Sequence, residues 1–256
     1  MVEDSEYKVS CPQEDFRKRI TKKERRNAMY KYETHLHTIP VSKCGKAIIE
    51  VQMAYYKSLG YDGIFVTNHF LDGNINMDKA APYEDLIEFY FSDYEKGAAL
   101  SKDLGIKVFD GVELSYKGTD FLIYGLDKAW YLAHPEIREM KKSEELNFLR
   151  SEGALVIQAH PYREASYIDH IRLFPRNIEG VEIINSTRTP EENEMARIYQ
   201  ENYGLLPFAG SDNHTGAKRL KLAGMETEKP IESVADFMEK VRRCEAKIFT
   251  LNLEEE

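Results

Sequence analysis

The chain has 256 residues, 42% hydrophobic and 31% charged, which suits one large globular unit and excludes a disordered or fibrous polypeptide. Against 35 Lys and Arg stand 44 Asp and Glu, a formal charge of −9, so broad adhesion to long nucleic acid or an anionic membrane is not expected. Cys11, Cys44 and Cys244 form no CxxC pair and argue against a secreted disulfide framework; with no leader-like N-terminus and no run of about 18 apolar residues, they predict a cytoplasmic protein.

Residues 1–29 read as a polar N-terminal extension whose basic run, Arg17–Arg26, is a solvated helix face, ahead of one domain over residues 30–256. From there a short β-rich run, a turn and an amphipathic stretch recur. Strands are predicted at Lys31–His37, Gly63–His69, Lys107–Ser115, Asp120–Leu126, Ala154–His160, Val181–Ser186 and Pro207–His214. Runs such as GIFVT, ALVIQA and VEII are apolar throughout, as strands covered on both faces require. Helices are predicted at Lys46–Leu59, Tyr83–Leu104, Pro135–Glu152, Pro190–Tyr203 and Ile231–Arg243, with glycines placed to stop several of them. Alternation of this kind predicts an α/β fold with parallel strands and helical crossovers, and seven strands around one centre predict a closed or nearly closed barrel.

The seven histidines carry the functional signal. His35 and His37 close the first strand, His69 the second and His160 the fifth, while Asp212 and His214 close the last. In an α/β barrel the C-terminal strand ends converge on the site, and residues i and i+2 of a strand face one side, so His35 and His37 can hold one metal. Asp212 and His214 repeat that spacing, and Glu113 adds a carboxylate able to bridge two ions. Imidazole with carboxylate suits Zn²⁺, Mn²⁺ or Fe²⁺, and there are more donors than one ion needs. No GxSxG or GxxxxGK[ST] motif competes.

The ordered motifs THLHT, GIFVTNH, GVELS, DFLIYGLD, AHP and GSDNH, spanning Tyr32 to Gly216, resemble the PHP superfamily, named for polymerase and histidinol phosphatase. The resemblance implies a distorted (β/α)7 barrel holding two or three divalent ions at the C-terminal strand ends and acting on phosphate esters. It implies His35, His37, Glu113 and Asp212 on one ion, with Glu113 bridging to a second that His160 also binds. Asp120 stands where the family often has a further histidine, and His134 is its rival. His69 and His214 resemble ligands of a third ion. The family's remaining histidine for that ion is missing, and the chain offers Lys43 and Cys44 instead, the first a cation for substrate phosphate, the second a soft ligand or a simple buried thiol. Asn68 replaces a common Asp before His69.

The activity so implied is hydrolysis of a phosphate monoester or short diester through a metal-bridging hydroxide. Arg163, three residues past His160, can grip phosphate or pair with Glu164 or another acid, Arg188 is a weaker substrate contact, and Asn185 contacts substrate or orients a ligand. His170 reads as exposed, and Trp130 with Tyr131 as packing. The partner expected is a small phosphorylated substrate. An amidohydrolase-type metallohydrolase and a non-catalytic, metal-stabilised binding module are the alternative readings.

Overall fold

A computed structural model describes residues 29–253; the N-terminal extension with its basic run lies outside the described residues. Ten strands and six α-helices alternate: β1 Tyr30–Glu33, α1 Ile49–Ser58, β2 Gly63–Val66, α2 Tyr83–Leu104, β3 Lys107–Asp110, β4 Val112–Tyr116, β5 Thr119–Tyr124, α3 Lys128–Ala133, α4 Lys142–Ser151, β6 Leu155–Ala159, β7 Gly180–Asn185, α5 Pro190–Tyr203, β8 Leu206–Gly210, β9 Lys221–Thr227, α6 Val234–Arg242 and β10 Lys247–Asn252. They form two five-stranded mixed sheets, ordered β10-β9-β1-β2-β3 and β4-β5-β6-β7-β8. The expected α/β class holds. The strand ladders form two sheets and not one closed seven-stranded barrel; beyond the strand ends isolated bridges join the sheets, Leu36 with Asn213 and His69 with Glu113.

Local chemistry explains the departures. Lys117 and Gly118 both take positive φ (51° and 82°), the conformation of a two-residue hairpin turn. They split what reads as a parallel crossover into the antiparallel pair β4–β5, and β6 pairs antiparallel to β5 in turn. β9 and β10, not foreseen, run antiparallel beside β1. The predicted helix Pro135–Glu152 is instead a 3-10 turn over Pro135–Glu139, an extended Met140 and α4; α3 precedes it, ending at His134, before the proline that cannot continue it. α2 and α5 match expectation because their ends are marked. Gly105 and Gly204 stop them in the left-handed conformation, and Thr189 with Glu192 forms a capping box at the start of α5.

The inner faces of both sheets share one core, including Tyr32, Phe65, Leu122, Tyr124, Ile157 and Phe208, which α6 seals with Phe237. Phe237 is fully buried, and its truncation to Ala costs about 3–5 kcal/mol. Among the described residues no helix is long and apolar enough to cross a membrane. Among the described residues Cys44 is a free thiol.

Candidate metal centre

The chain reaches one end of the fold from every direction. His35 and His37 follow β1, His69 follows β2, His160 follows β6, and Asp212 and His214 follow β8. β4 continues β3 past Gly111, which carries Glu113 beyond the β3 edge to its bridge with His69. Because β5 is antiparallel its beginning lies at this same end, where Asp120 pairs with Ala159 beside His160. The hairpin that breaks the expected topology is thus what delivers Asp120.

Distances within the cluster are short. His35 Nε2 lies 3.1 Å from Glu113 Oε1 and 3.6 Å from Asp212 Oδ1. His37 Nε2 is 3.5 Å from Glu113 Oε2, 3.3 Å from Asp212 Oδ1 and 3.2 Å from His35 Nε2. His160 Nε2 is 3.4 Å from Glu113 Oε1 and 3.9 Å from Asp120 Oδ2. On the other side His69 Nδ1 stands 2.5 Å from Glu113 Oε2. Four overlapping groups bring their ligand atoms within 4.8 Å of one another: His35, His37 and Glu113; His35, His160 and Asp212; Glu113, Asp120 and His160; and His37, His69 and His214. All eight predicted donors therefore fall in one cleft. His134 does not; it stacks on Trp130 and pairs with Glu136.

The hydrogen-bond network fixes which ring nitrogens carry protons. His35 Nδ1 meets Glu182 Oε1 at 2.9 Å, so it donates and leaves Nε2 as a lone pair. Ser42 spends its hydroxyl proton on Asn68 Oδ1, at 2.7 Å, and therefore accepts from His37 Nδ1, at 3.2 Å. His214 Nδ1 donates to the Asp212 carbonyl at 3.0 Å. Lone pairs of His35 and His37 thus face carboxylate oxygens of Glu113 and Asp212, acceptor against acceptor. Both Glu113 oxygens, His160 Nε2 and His69 Nδ1 are buried without a hydrogen-bond partner. Positive charge among these groups, from a metal ion or from protons on the rings, relieves that opposition, and the donor set fits divalent transition ions.

Protons can stand in for that cation. Burial opposes charge on His35, yet Glu182, Asp212 and Glu113 outweigh it and hold its pKa well above the ordinary value. Burial likewise opposes ionisation of Glu113, but His69, His35 and His37 keep its carboxyl well below the usual range. Asp212 is held low against burial by His35, His37 and His214. His37 goes the other way, lowered by burial and by His214 and His69.

Two buried carboxylates that the sequence analysis missed support this ring. Glu182, inside the apolar run of β7, holds His35 through Oε1; its Oε2 accepts from the His160 amide at 3.0 Å and from Asn185 Nδ2 at 2.9 Å. Glu33 accepts three backbone amides on Oε1, from Thr34, His35 and Ser211. Burial, opposed chiefly by the contacts from Ser211, raises its pKa to about 7. For Glu182 the signal available was a single acid within the apolar run of β7; Glu33 ends YKYE, a strand with no such run. Asn185 reaches Asp212 Oδ2 at 3.4 Å, a ligand-orienting position, and Thr187 Oγ1 joins it at 3.2 Å. Asn68 binds Thr38 and Ser42 and leaves the His69 ring to others. His160 (φ 24°) and Asp212 (φ 52°) both take left-handed backbone, strain that the surrounding contacts must hold. Gly210 is required here, since a Cβ on it would lie 2.4 Å from His35 Cβ.

Arg163 makes the ion pair with an acid that was its alternative reading, the acid being Asp120, whose Oδ2 lies 2.9 Å away, and not Glu164. It borders an open cavity of about 570 Å³ lined also by Ser166, Ile168 and His170. Lys43 is exposed on the loop after His37, and Arg188 turns back to Thr187 and Glu192. Tyr131 is core and His170 is exposed, as read. Cys44 is half-buried, not sealed in the core. Burial would raise its pKa, but His214 and His69 draw it down to about 6.

A fold of two mixed sheets around a cleft of imidazoles and carboxylates defines an α/β protein built to hold divalent ions. The PHP-associated family profile matches residues 190–245, the segment with Asp212 and His214. Over 87% of this chain the fold is similar to a two-domain protein of Bacteroides vulgatus containing a predicted PHP-like metal-dependent phosphoesterase, at 14% identity and a TM-score of 0.65. This chain spans 65% of that protein. A candidate metal-dependent phosphoesterase of Bifidobacterium adolescentis is similar over 83% of this chain and 96% of its own, at 12% identity and a TM-score of 0.52. So is an amidohydrolase of Chromobacterium violaceum, its structure solved with sulfate and no metal, over 87% and 98% at 13% identity and a TM-score of 0.52. No curated protein matches the sequence.

Proposed function

We propose that this protein is a metal-dependent phosphoesterase acting on a small phosphate monoester or short diester. The observation that carries the reading is the buried ring of imidazole nitrogens and carboxylate oxygens around Glu113, whose two oxygens lack a hydrogen-bond partner. His35, His37, Glu113 and Asp212 would hold one ion, and Glu113, His160 and Asp120 a second, with Mn²⁺, Zn²⁺ or Fe²⁺ fitting the donors. Ions so held supply a hydroxide near neutral pH and polarise a phosphoryl oxygen.

The chain's own groups do the rest. Glu182, Ser42 and the Asp212 carbonyl fix the ring tautomers, so each Nε2 faces the cleft without rearrangement. Arg163 offers a guanidinium at the edge of the cleft where phosphate oxygens would lie; the cavity beside it gives the esterified group room. Exposed Lys43 adds positive charge at the rim of an acidic molecule and draws an anionic substrate to the site.

Hydrolysis of p-nitrophenyl phosphate and bis-p-nitrophenyl phosphate with Mn²⁺ or Zn²⁺, by wild type and His37→Ala in parallel, tests the reading. Metal-dependent activity that the substitution removes supports it, and the ratio of the two rates separates monoesterase from diesterase. The likeness to a protein named as an amidohydrolase motivates a second reading. Turnover of cyclic amides with no phosphatase activity would replace the first.

A further inference from the structure

Resting on that metal-site reading, we propose that Arg163 and the second inner ion contend for one carboxylate, Asp120, so that Arg163 turns to substrate phosphate only when Asp120 is taken by the ion. The contested atom is Asp120 Oδ2. It lies 2.9 Å from Arg163 Nη2 and 3.9 Å from His160 Nε2, and Asp120 belongs to the group with Glu113 and His160 whose ligand atoms gather within 4.8 Å. The guanidinium therefore already stands as the cation of a position that the donor set suits to a metal.

Local chemistry puts both partners of Asp120 on one turn. Arg163 N donates to His160 O at 3.0 Å, so the guanidinium and the imidazole leave the same tight bend, while Asp120 enters at the start of β5 opposite Ala159. A histidine at position 120 would give Arg163 no counter-charge; the carboxylate does. The grip is incomplete, as a releasable one must be. Nη2 also donates to Gly118 O at 3.3 Å, but Nε is buried without a hydrogen-bond partner, so one edge of the fork is unspent. The Arg163 side chain keeps 16% exposure against 3% for Asp120, and its Cζ sits 5.8 Å from the ring centre of the exposed Tyr167. The guanidinium thus has a free donor edge and a solvent-facing aromatic neighbour, whereas Asp120 is sealed in. Asp120 cannot serve the guanidinium and a divalent ion equally, because like charges brought to one oxygen in a water-poor site repel strongly. By linkage the antagonism is mutual: Arg163 weakens the ion's hold on Asp120 by the factor by which its own hold is weakened.

Ion affinity reads this antagonism directly. Calorimetric titration of Mn²⁺ into the chelator-stripped full chain compares wild type with Arg163→Met and Arg163→Lys. Arg163→Met should tighten one inner ion about tenfold and leave the other within about twofold; Arg163→Lys, which keeps the charge, should stay near wild type. A second readout needs no substitution. Phenylglyoxal modification of Arg163, located by peptide mass, should speed up about threefold or more when Mn²⁺ saturates the stripped protein, and inorganic phosphate should then slow it. Unchanged or weaker Mn²⁺ binding in Arg163→Met would make the guanidinium a support of the ion and overturn the proposal. Equal tightening by Arg163→Lys, or modification indifferent to Mn²⁺ or to phosphate, overturns it too. Tightening without phosphate-ester turnover would keep the antagonism and sink the phosphoesterase reading. Turnover without tightening does the reverse, and a wild type that binds no Mn²⁺ sinks both.

Discussion

The inner wall of the cleft and its rim are built on opposite terms. Inside, His35, His37, Glu113 and His160 are all but inaccessible and are backed by fully buried Glu33 and Glu182. At the rim, His69, His214 and Cys44 keep partial access to solvent, and their support is mostly backbone from one loop. The inner wall is rigid and oxygen-rich; the rim is accessible and bears sulfur. An inner ion is thus expected to be retained and a rim ion to exchange.

The largest break in this comparison comes from Glu113→Gln. It removes charge from between both inner positions, so hydrolysis should fall to the metal-free background and inner ions should be lost while far-ultraviolet circular dichroism stays unchanged. Retained activity would show that the inner wall is not the reacting site. Glu182→Gln keeps the shape but weakens the hold on His35, and a loss of about 10–100-fold in inner-ion affinity is expected. Calorimetric titration checks this, with the rim ion unaffected as the internal control. Gly210→Ala pushes a methyl group against His35 Cβ and Glu182 Oε1, costing about 1–3 kcal/mol as a melting shift; no shift would mean that the inner wall is looser than described.

The pH dependence of stability sharpens the comparison further. In the metal-free protein the pKa values of His35, His69 and His214 are raised above 6.5 against the opposition of burial. The chief causes are Glu182 for His35, Glu113 for His69, and Cys44 with Asp212 for His214. Raised histidines contribute stability below their unfolded pKa and lose it as pH rises through the folded one. Glu113 and Asp212, held low, contribute above the ordinary carboxylate range and lose it as pH falls. The chelated protein should therefore melt progressively earlier as pH is raised above 6.5, and Zn²⁺ should flatten that limb. Parallel curves with and without Zn²⁺ would show that protons do not occupy the ion positions.

Much of the cleft was legible because its ligands sit where strands end. His35 with His37 and Asp212 with His214 meet in one cluster just beyond the ends of β1 and β8, so the reading of the site did not depend on barrel closure. Asp120 was reached through the family resemblance, and its position depends on an antiparallel strand that the Lys117-Gly118 turn announced but the reading as crossovers overrode. Glu33 and Glu182 stayed hidden because hydrophobic patterning weighs a run by its average, and one acid in VEII does not change it. β10 escaped notice because its residues are mostly half-exposed or exposed, without the apolar run of a covered strand. Cys44 looked like core by residue type alone, yet it is only half-buried.

The most direct test of the central claim is to titrate Mn²⁺ into chelator-stripped protein while following p-nitrophenyl phosphate hydrolysis. The account predicts a rate that rises from background to a plateau by about two equivalents of Mn²⁺, filling the two inner positions around Glu113, and no rise in Glu113→Gln. A flat wild-type trace from protein that demonstrably binds the ion, or an equal rise in the variant, would contradict it.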